Sequence, residues 1–243
     1  MVNENQLIPY ATSELPVERG PWLVFAPHAD DESFGMGGTI AKAVGYGISV
    51  HLVVMTDGSL GGESADLVEV RKAEANKAAE TLGIQAPVFL GYPDRRLRLD
   101  KETVERVTGN INHVQPAAVF FPGCFELHPD HRTTALLVWQ ALKNCPGKQI
   151  APVSYEVLVQ SPANTLVDIS PFIVQKSAAM SVYESQLSES RYVDITMSLN
   201  RLRSLTLRGD ISHAEAFYCF NSGDPEADYD QVVFDNLKTY FRV

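Results

Sequence analysis

Hydrophobic residues along the chain fall into two patterns. Short continuous apolar runs are typical of buried strands, whereas apolar residues that recur every three or four positions predict amphipathic helices. The predicted strands are residues 22–26, 48–55, 87–90, 117–121, 153–159 and 165–169. The predicted helices are residues 35–45, 66–82, 100–113, 129–142, 171–183 and 189–209. Gly83 is expected to end the second helix and Asp100 to cap the third.

Strands and helices alternate strictly from residue 22 to residue 142. This order predicts an α/β fold with a Rossmann-like, mostly parallel sheet and helices on both faces. The sequence contains no repeat, low-complexity tract or linker, so residues 1–243 are expected to form a single domain. Residues 1–20 are expected to be an irregular N-terminal lead-in.

The charge balance disfavours one class of partner. The chain has 20 Lys and Arg against 30 Asp and Glu, a formal net charge of −10. A protein this acidic repels phosphate backbones, so nucleic acid is not an expected partner.

The three cysteines form no C-x-x-C pair. No secretory signal or membrane span is predicted, which favours a cytoplasmic protein. The sequence leaves a homo-oligomer open.

Candidate chemistry follows the predicted strands. In a parallel sheet the ligand site lies beyond the carboxyl ends of the strands. The polar segments at these ends are residues 28–33, 56–63 and 126–132. The topology therefore predicts that they meet, although up to about a hundred residues separate them along the chain.

Two of these segments carry histidines beside carboxylates. Residues 27–32 read Pro-His-Ala-Asp-Asp-Glu, and residues 128–131 read His-Pro-Asp-His. Acidic side chains at the start of a helix interact favourably with the helix dipole. This effect explains the presence of Glu32 and one aspartate, but not that of the histidine. Imidazole nitrogens together with carboxylate oxygens suit Zn²⁺, and a catalytic zinc site takes three protein ligands. By contrast, His51 and His113 are expected to be structural.

Together these motifs resemble the PIG-L/LmbE family of zinc-dependent deacetylases. The family signature is A-H-P-D-D-E after the first strand and H-P-D-H, or H-x-D-H, after the fourth. Shorter patterns also resemble the family, and the likeness runs from Trp22 to Phe217. These are GGTIA at 37–41, TDG at 56–58, RKAE at 71–74, LGYPD at 90–94, YESQ at 183–186 and, more weakly, AEAF at 214–217.

The resemblance implies a metal site. It assigns His28, Asp31 and His131 as the ligands of one zinc ion per chain, and the same donor types also accept Fe²⁺. Ala29 departs from the family, which usually has proline there. Proline pre-sets the backbone of a turn, and alanine can adopt the same conformation, so the ligands are expected to keep their places.

The resemblance also implies catalytic roles. Asp30 becomes the general base toward the attacking water. His128 becomes the residue that stabilises the oxyanion or protonates the leaving amine, with Asp130 as its neighbour. Since an amine leaves poorly unless protonated, an acid on this side of the substrate is chemically required.

Two further residues are candidate substrate contacts. The family pattern points to Arg71. The alternative role for Arg71 is an ion pair with Glu74 on the surface of the same helix. Asp94 can accept hydrogen bonds from sugar hydroxyls. The alternative is that Asp94 has only a structural role, in a turn after Pro93.

The expected activity is removal of acetyl from an N-acetylated amino sugar carried on a larger group. The loops at residues 58–65 and 92–97 are rich in Gly, Ser, Asp and Arg, which match hydroxyls and an anionic appendage better than an apolar chain. An alternative is an amidase that acts on a small thioether conjugate or another small amide. A nucleotide-binding module using Gly-Met-Gly-Gly at 35–38 does not fit the dinucleotide spacing. A non-enzymatic protein with a decayed site is disfavoured because the full residue set is present.

Overall fold

The computed structural model describes residue 15 and residues 20–62, 66–145, 147, 149–188 and 190–238. Within these residues the strands are β1 (Trp22–Ala26), β2 (Val50–Thr56), β3 (Val88–Tyr92), β4 (Ala118–Pro122), β5 (Ala151–Tyr155), β6 (Thr165–Asp168) and β7 (Ala214–Cys219). The helices are α1 (Asp31–Gly45), α2 (Leu67–Leu82), α3 (Lys101–Val114), α4 (Pro129–Lys143), α5 (Ile173–Ser181), α6 (Glu184–Leu187), α7 (Tyr192–Arg203) and α8 (Tyr229–Leu237).

The strands form one sheet in the order β3-β2-β1-β4-β5-β7-β6. The first five strands of this order are parallel, and β7 runs antiparallel to both of its neighbours. The predicted mostly parallel sheet is therefore confirmed. From β1 the chain builds the sheet first toward β3 and then, from β4, in the opposite direction. The carboxyl ends of β1 and β4 thus form the topological switch point where ligands bind in such sheets.

Helices cover both faces of the sheet, as predicted. On one face, Val24, Val54 and Phe120 belong to an apolar cluster that includes residues of α1, α2 and α5. On the other face, Phe25 and Phe121 belong to a cluster that includes residues of α3, α4 and α8. Alternate residues of β1 and β4 thus enter opposite clusters, as the two-residue period of a strand requires.

Several predicted boundaries are wrong. Helix α1 begins at Asp31, four residues before its predicted start, so the aspartate motif lies in its first turn. Strand β5 ends at Tyr155, because the backbone N–H groups of residues 157–159 donate to the Glu126 carboxylate instead of continuing the ladder. Helix α7 ends at Arg203, and β7 and α8 were not predicted. Most of the predicted lead-in lies outside the described residues.

A buried ion pair stabilises a break in α1. Met36 has non-helical backbone angles (φ −143°, ψ 21°). Beyond it, the N–H groups of Gly38 and Thr39 donate to the Glu215 carboxylate of β7, at 2.9 and 2.7 Å. The Lys176 ammonium donates to Glu215 at 2.5 Å and to the Phe34 carbonyl at 2.8 Å. Lys176 and Glu215 thus satisfy backbone groups that the break leaves without helix partners.

We expect Lys176→Met to destabilise the protein by about 3–5 kcal/mol, because it leaves Glu215 buried without a counter-charge. Lys176 and Glu215 are both fully buried. Urea unfolding of the variant measures the loss. The matched control is Lys101→Met, because the Lys101 side chain is 90 % exposed and its ammonium lies 3.7 Å from Glu105. A Lys176→Met variant as stable as Lys101→Met would contradict this role for the pair.

Candidate active site

A cleft of about 420 Å³ opens at the switch point of the sheet. It is lined by the turn after β1, the loop after β3, and the loop and helix start after β4. The predicted meeting of the first and third polar segments is therefore confirmed. Of the second segment, Gly61 lines the cleft, and residue 63 lies outside the described part.

The turn between β1 and α1 has an unusual backbone. Asp30 has φ 143° and ψ −31°, a region that residues other than glycine rarely adopt. A carboxylate behind the turn supports it: Glu32 accepts hydrogen bonds from the Ser33 and Tyr183 hydroxyls, each at 2.6 Å, and from the Asp30 N–H at 3.3 Å. Such backbone strain persists only where surrounding contacts over-determine it, and it clusters at functional sites.

Asp31 lies between two imidazoles. Its Oδ2 is 3.3 Å from Nδ1 of His28 and 3.3 Å from Nε2 of His131, and it accepts the His28 backbone N–H at 2.8 Å. Donor atoms around a tetrahedral zinc ion with bonds of about 2.0–2.1 Å are about 3.4 Å apart. The two Asp31 distances match this spacing.

Other ligand groupings are present nearby. His28, His128 and His131 offer ring nitrogens within 4.8 Å of one another, as do the donor atoms of His28, Asp94, His128 and Asp130. The Nε2 atom of His28 lies 3.3 Å from Asp94 and 3.4 Å from Asp130. Carboxylates placed behind the outer nitrogen of an imidazole are typical of metal-binding histidines.

Asp30 is held in place by an arginine. The Arg71 guanidinium donates to Asp30 at 3.2 Å and to the Gly58 carbonyl at 3.0 Å. A side chain at Gly58, which has φ 63°, would bring its Cβ within 2.2 Å of Arg71. Glu74, the alternative partner considered for Arg71, accepts hydrogen bonds from Ser185. Arg71 therefore orients Asp30 toward the cleft.

The two adjacent aspartates have opposite electrostatic environments. Burial raises the pKa of Asp30 to about 7, an effect that the Arg71 charge opposes and the Asp31 charge increases. Burial also acts to raise the pKa of Asp31, but the charges and hydrogen bonds of His131 and His28 together outweigh burial and hold that pKa well below its usual range. When two neighbouring carboxylates have well-separated pKa values, the one with the higher pKa can act as a base and the other stays ionised. Asp30 and Asp31 are such a pair.

His128 has one ring nitrogen committed. Its Nδ1 accepts the Asp130 backbone N–H at 3.2 Å, which leaves Nε2 as the protonated nitrogen of the neutral ring. Burial lowers the pKa of His128, and the charges of His28 and His131 lower it further. The ring therefore presents an N–H donor to the cleft.

A model of the PIG-L family, described as GlcNAc-PI de-N-acetylase, matches residues 23–142. The diacetylchitobiose deacetylase of Thermococcus kodakarensis is 32% identical over 187 residues, which are 69% of this chain and 70% of that protein. The chain belongs to the PIG-L family.

The proteins similar to this chain are not all named for the same reaction. The 4-oxalmesaconate hydratase of Pseudomonas putida is 29% identical over 190 residues, 68% of this chain and 73% of that protein. For the fold, the N,N'-diacetylchitobiose deacetylase of Pyrococcus horikoshii superposes with a TM-score of 0.76 at 24% identity and covers 88% of each chain. The proteins similar to this chain thus include named deacetylases and a named hydratase, so the function has to be argued from the site itself.

In this PIG-L chain, seven of the eight predicted site residues line one cleft. His28, Asp30, Asp31, Arg71, Asp94, His128 and His131 line it. Asp130 lies behind them, where its carboxylate accepts the Arg95 N–H at 2.7 Å. No described helix has the length and apolar character needed to cross a membrane.

Sequence reasoning missed Glu126, which is buried behind His131. Its Oε2 lies 3.9 Å from His131 Nδ1, a buried nitrogen without a hydrogen-bond partner among the described residues. Its Oε1 accepts the N–H groups of Val157, Leu158 and Val159. Glu126 falls within the polar segment 126–132, but a single glutamate near two histidines forms no recognisable sequence motif.

Proposed function

We propose that this protein is a zinc-dependent hydrolase that removes acetyl from an N-acetylated amino sugar carried on a larger group. One observation carries the proposal: Asp30, strained and backed by Arg71, adjoins Asp31, whose carboxylate lies 3.3 Å from two imidazoles. A base beside a metal-type donor set is what amide hydrolysis requires. The PIG-L relatives named as deacetylases support the same reaction.

We assign His28, Asp31 and His131 to the metal. The donor set fits zinc in chemistry, the two distances from Asp31 to the imidazoles fit a zinc site, and the carboxylate of Asp31 supplies negative charge for the ion. A bound ion would supply Lewis acidity, polarising the amide carbonyl and lowering the pKa of water. His128 is excluded from this set because its side chain is 30% exposed and its Nδ1 already accepts a backbone N–H.

Asp30 and His128 share the proton chemistry. Asp30 accepts a proton from the water that attacks the acetyl carbonyl, and Arg71 keeps its carboxylate in place. His128 donates its Nε2–H to the oxygen that becomes negative. As the carbon–nitrogen bond breaks, the proton that Asp30 took from the water passes to the nitrogen. The amine leaves as the free amino sugar, with acetate as the second product, and Asp30 is again a carboxylate.

Arg71 and Asp94 are proposed substrate contacts, with second tasks that the sequence did not suggest. Asp94 accepts the Leu60 N–H at 3.2 Å. Burial acts to raise the pKa of Asp94, but its contact with the His28 ring lowers it to about 2. An ionised Asp94 can therefore orient His28 as well as accept bonds from sugar hydroxyls.

The test is acetate release from N-acetylglucosamine conjugates by purified protein, measured before and after metal removal. The thioether amidase would instead hydrolyse the amide of a thioether conjugate, and a hydratase would add water to a double bond without releasing acetate. Parallel assays with those two substrate classes separate the three activities. Turnover of either without acetate release from any amino sugar would contradict the proposal.

We expect His128→Ala to keep the metal and to lower kcat by about 10²–10³-fold, the loss typical of one oxyanion donor. The Asp130 N–H would also lose its acceptor, so His128→Gln is the companion variant. Metal analysis and steady-state kinetics measure both effects. A rise in KM with kcat unchanged would make His128 a binding residue instead.

A further inference from the structure

The residues that line the cleft are of two chemical kinds. Arg71, Asp94, Arg95 and Gln186 are charged or polar, whereas Leu127, Leu158, Val159 and Tyr192 supply apolar surface, here called the apolar wall. We propose that Leu127 and Leu158 form a subsite for an alkyl or aryl aglycone of the amino sugar. This inference rests on the proposed deacetylase function and narrows its substrate class.

The two leucines are unusually exposed for residues beside catalytic groups. Leu127 is 81% exposed and Leu158 is 41% exposed. A single exposed leucine is ordinary on a soluble protein, and Leu205, at 80% exposure, is such a case away from the cleft. Leu127 and Leu158 differ because they share one concave surface with Val159, Tyr192 and the histidines. Apolar surface within a cleft is typical of a ligand site.

The backbones that present these leucines are fixed. The Arg132 guanidinium donates to the Leu127 carbonyl at 2.6 Å and to the Glu126 carbonyl at 2.8 Å. The Glu126 carboxylate in turn accepts the Leu158 N–H at 3.3 Å and the Val157 N–H at 2.8 Å. Glu126 thus connects both leucines. A preorganised surface binds with less loss of conformational entropy than a flexible one.

Burial indicates which part of the substrate reaches this wall. His28, Asp31 and His131 are each at most 8% exposed, so the acetyl carbonyl must enter the charged base of the cleft. The leucines are far more exposed, at its mouth. A longer acyl chain would have to lie among buried carboxylates, whereas an aglycone on the far side of the sugar reaches the mouth.

The test compares kcat/KM for the octyl and methyl glycosides of N-acetylglucosamine, with the octyl compound below its micelle concentration. A fully buried methylene is worth about fourfold, so partial burial of the chain gives an octyl/methyl ratio of at least about tenfold. Leu127→Ser/Leu158→Ser should reduce this ratio to about threefold or less. The control Leu205→Ser should keep it.

Calorimetric binding of both glycosides to the Asp30→Asn variant gives the same ratio without turnover. Absence of acetate from both glycosides would contradict the proposed function alone, since binding still tests the subsite. Equal values for octyl and methyl, or an unchanged ratio in the double variant, would overturn the subsite. A gain with an N-octanoyl amide in place of the octyl glycoside would assign the wall to the acyl group. A double variant that changes only the oligomeric state would make the wall a protein interface.

Discussion

Replacing Asp30 with asparagine should abolish most of the activity while leaving the metal bound. Loss of a general base costs about 10²–10⁴-fold in rate, and an amide cannot take up a proton from water. Asparagine is the suitable substitution because it has the size of aspartate and retains an oxygen for the Arg71 contact. The fall should appear in kcat, measured as acetate release at saturating substrate.

The controls for Asp30 separate chemistry from folding. Asp210→Asn removes an exposed carboxylate that contacts Arg208 and should have wild-type activity. Circular dichroism and metal content should be the same for both variants. An Asp30→Asn enzyme that keeps its metal and works within a few-fold of wild type would show that another group accepts the proton.

His131→Ala should lose most of the bound metal and, with it, the activity. The variant removes one of the three proposed ligands and leaves the Asp31 carboxylate with His28 alone. Lewis-acid catalysis supplies several kcal/mol, so we expect a fall of about 10³-fold or more in kcat/KM. Elemental analysis of protein purified without chelator gives the metal per chain and distinguishes zinc from iron.

His113→Ala is the matched control, because His113 is exposed near the end of α3 and is not among the residues that line the cleft. It should keep about one metal ion per chain, the stoichiometry of a catalytic site. Full metal retention in both His131→Ala and His28→Ala would overturn the ligand assignment. Loss of metal in His128→Ala but not in His131→Ala would favour the grouping of His28, Asp94, His128 and Asp130.

Local patterns in the sequence predicted the parts of the fold that depend on them. Helices α2 and α3 keep a helical period, and their ends occur where Gly83 (φ 77°) and the Asp100 side chain can satisfy backbone groups. The metal-side residues were predicted to meet because they follow strands that belong to one parallel sheet. That meeting requires β1 and β4 to be neighbours, which they are.

The parts that were missed depend on contacts between distant residues. The apolar residues at 157–159 suggest a strand, but the Glu126 carboxylate takes their N–H groups. Strand β7 was missed because Glu215, a charged residue, is fully buried against Lys176. The strand therefore lacks the usual alternation of buried apolar and exposed polar residues. The apolar wall was missed because Leu127 and Leu158 are 31 positions apart. No local pattern connects such residues.

The most direct test of the account is acetate release from an N-acetylglucosamine glycoside by one preparation in three states. The protein is assayed as purified, after removal of metal with a chelator, and after addition of one equivalent of zinc. We predict activity, then its loss, then its recovery, with about one metal ion per chain in both active states. Acetate release that persists in fully metal-free protein, or none in the zinc-loaded protein, would contradict the claim that this chain is a metal-dependent deacetylase.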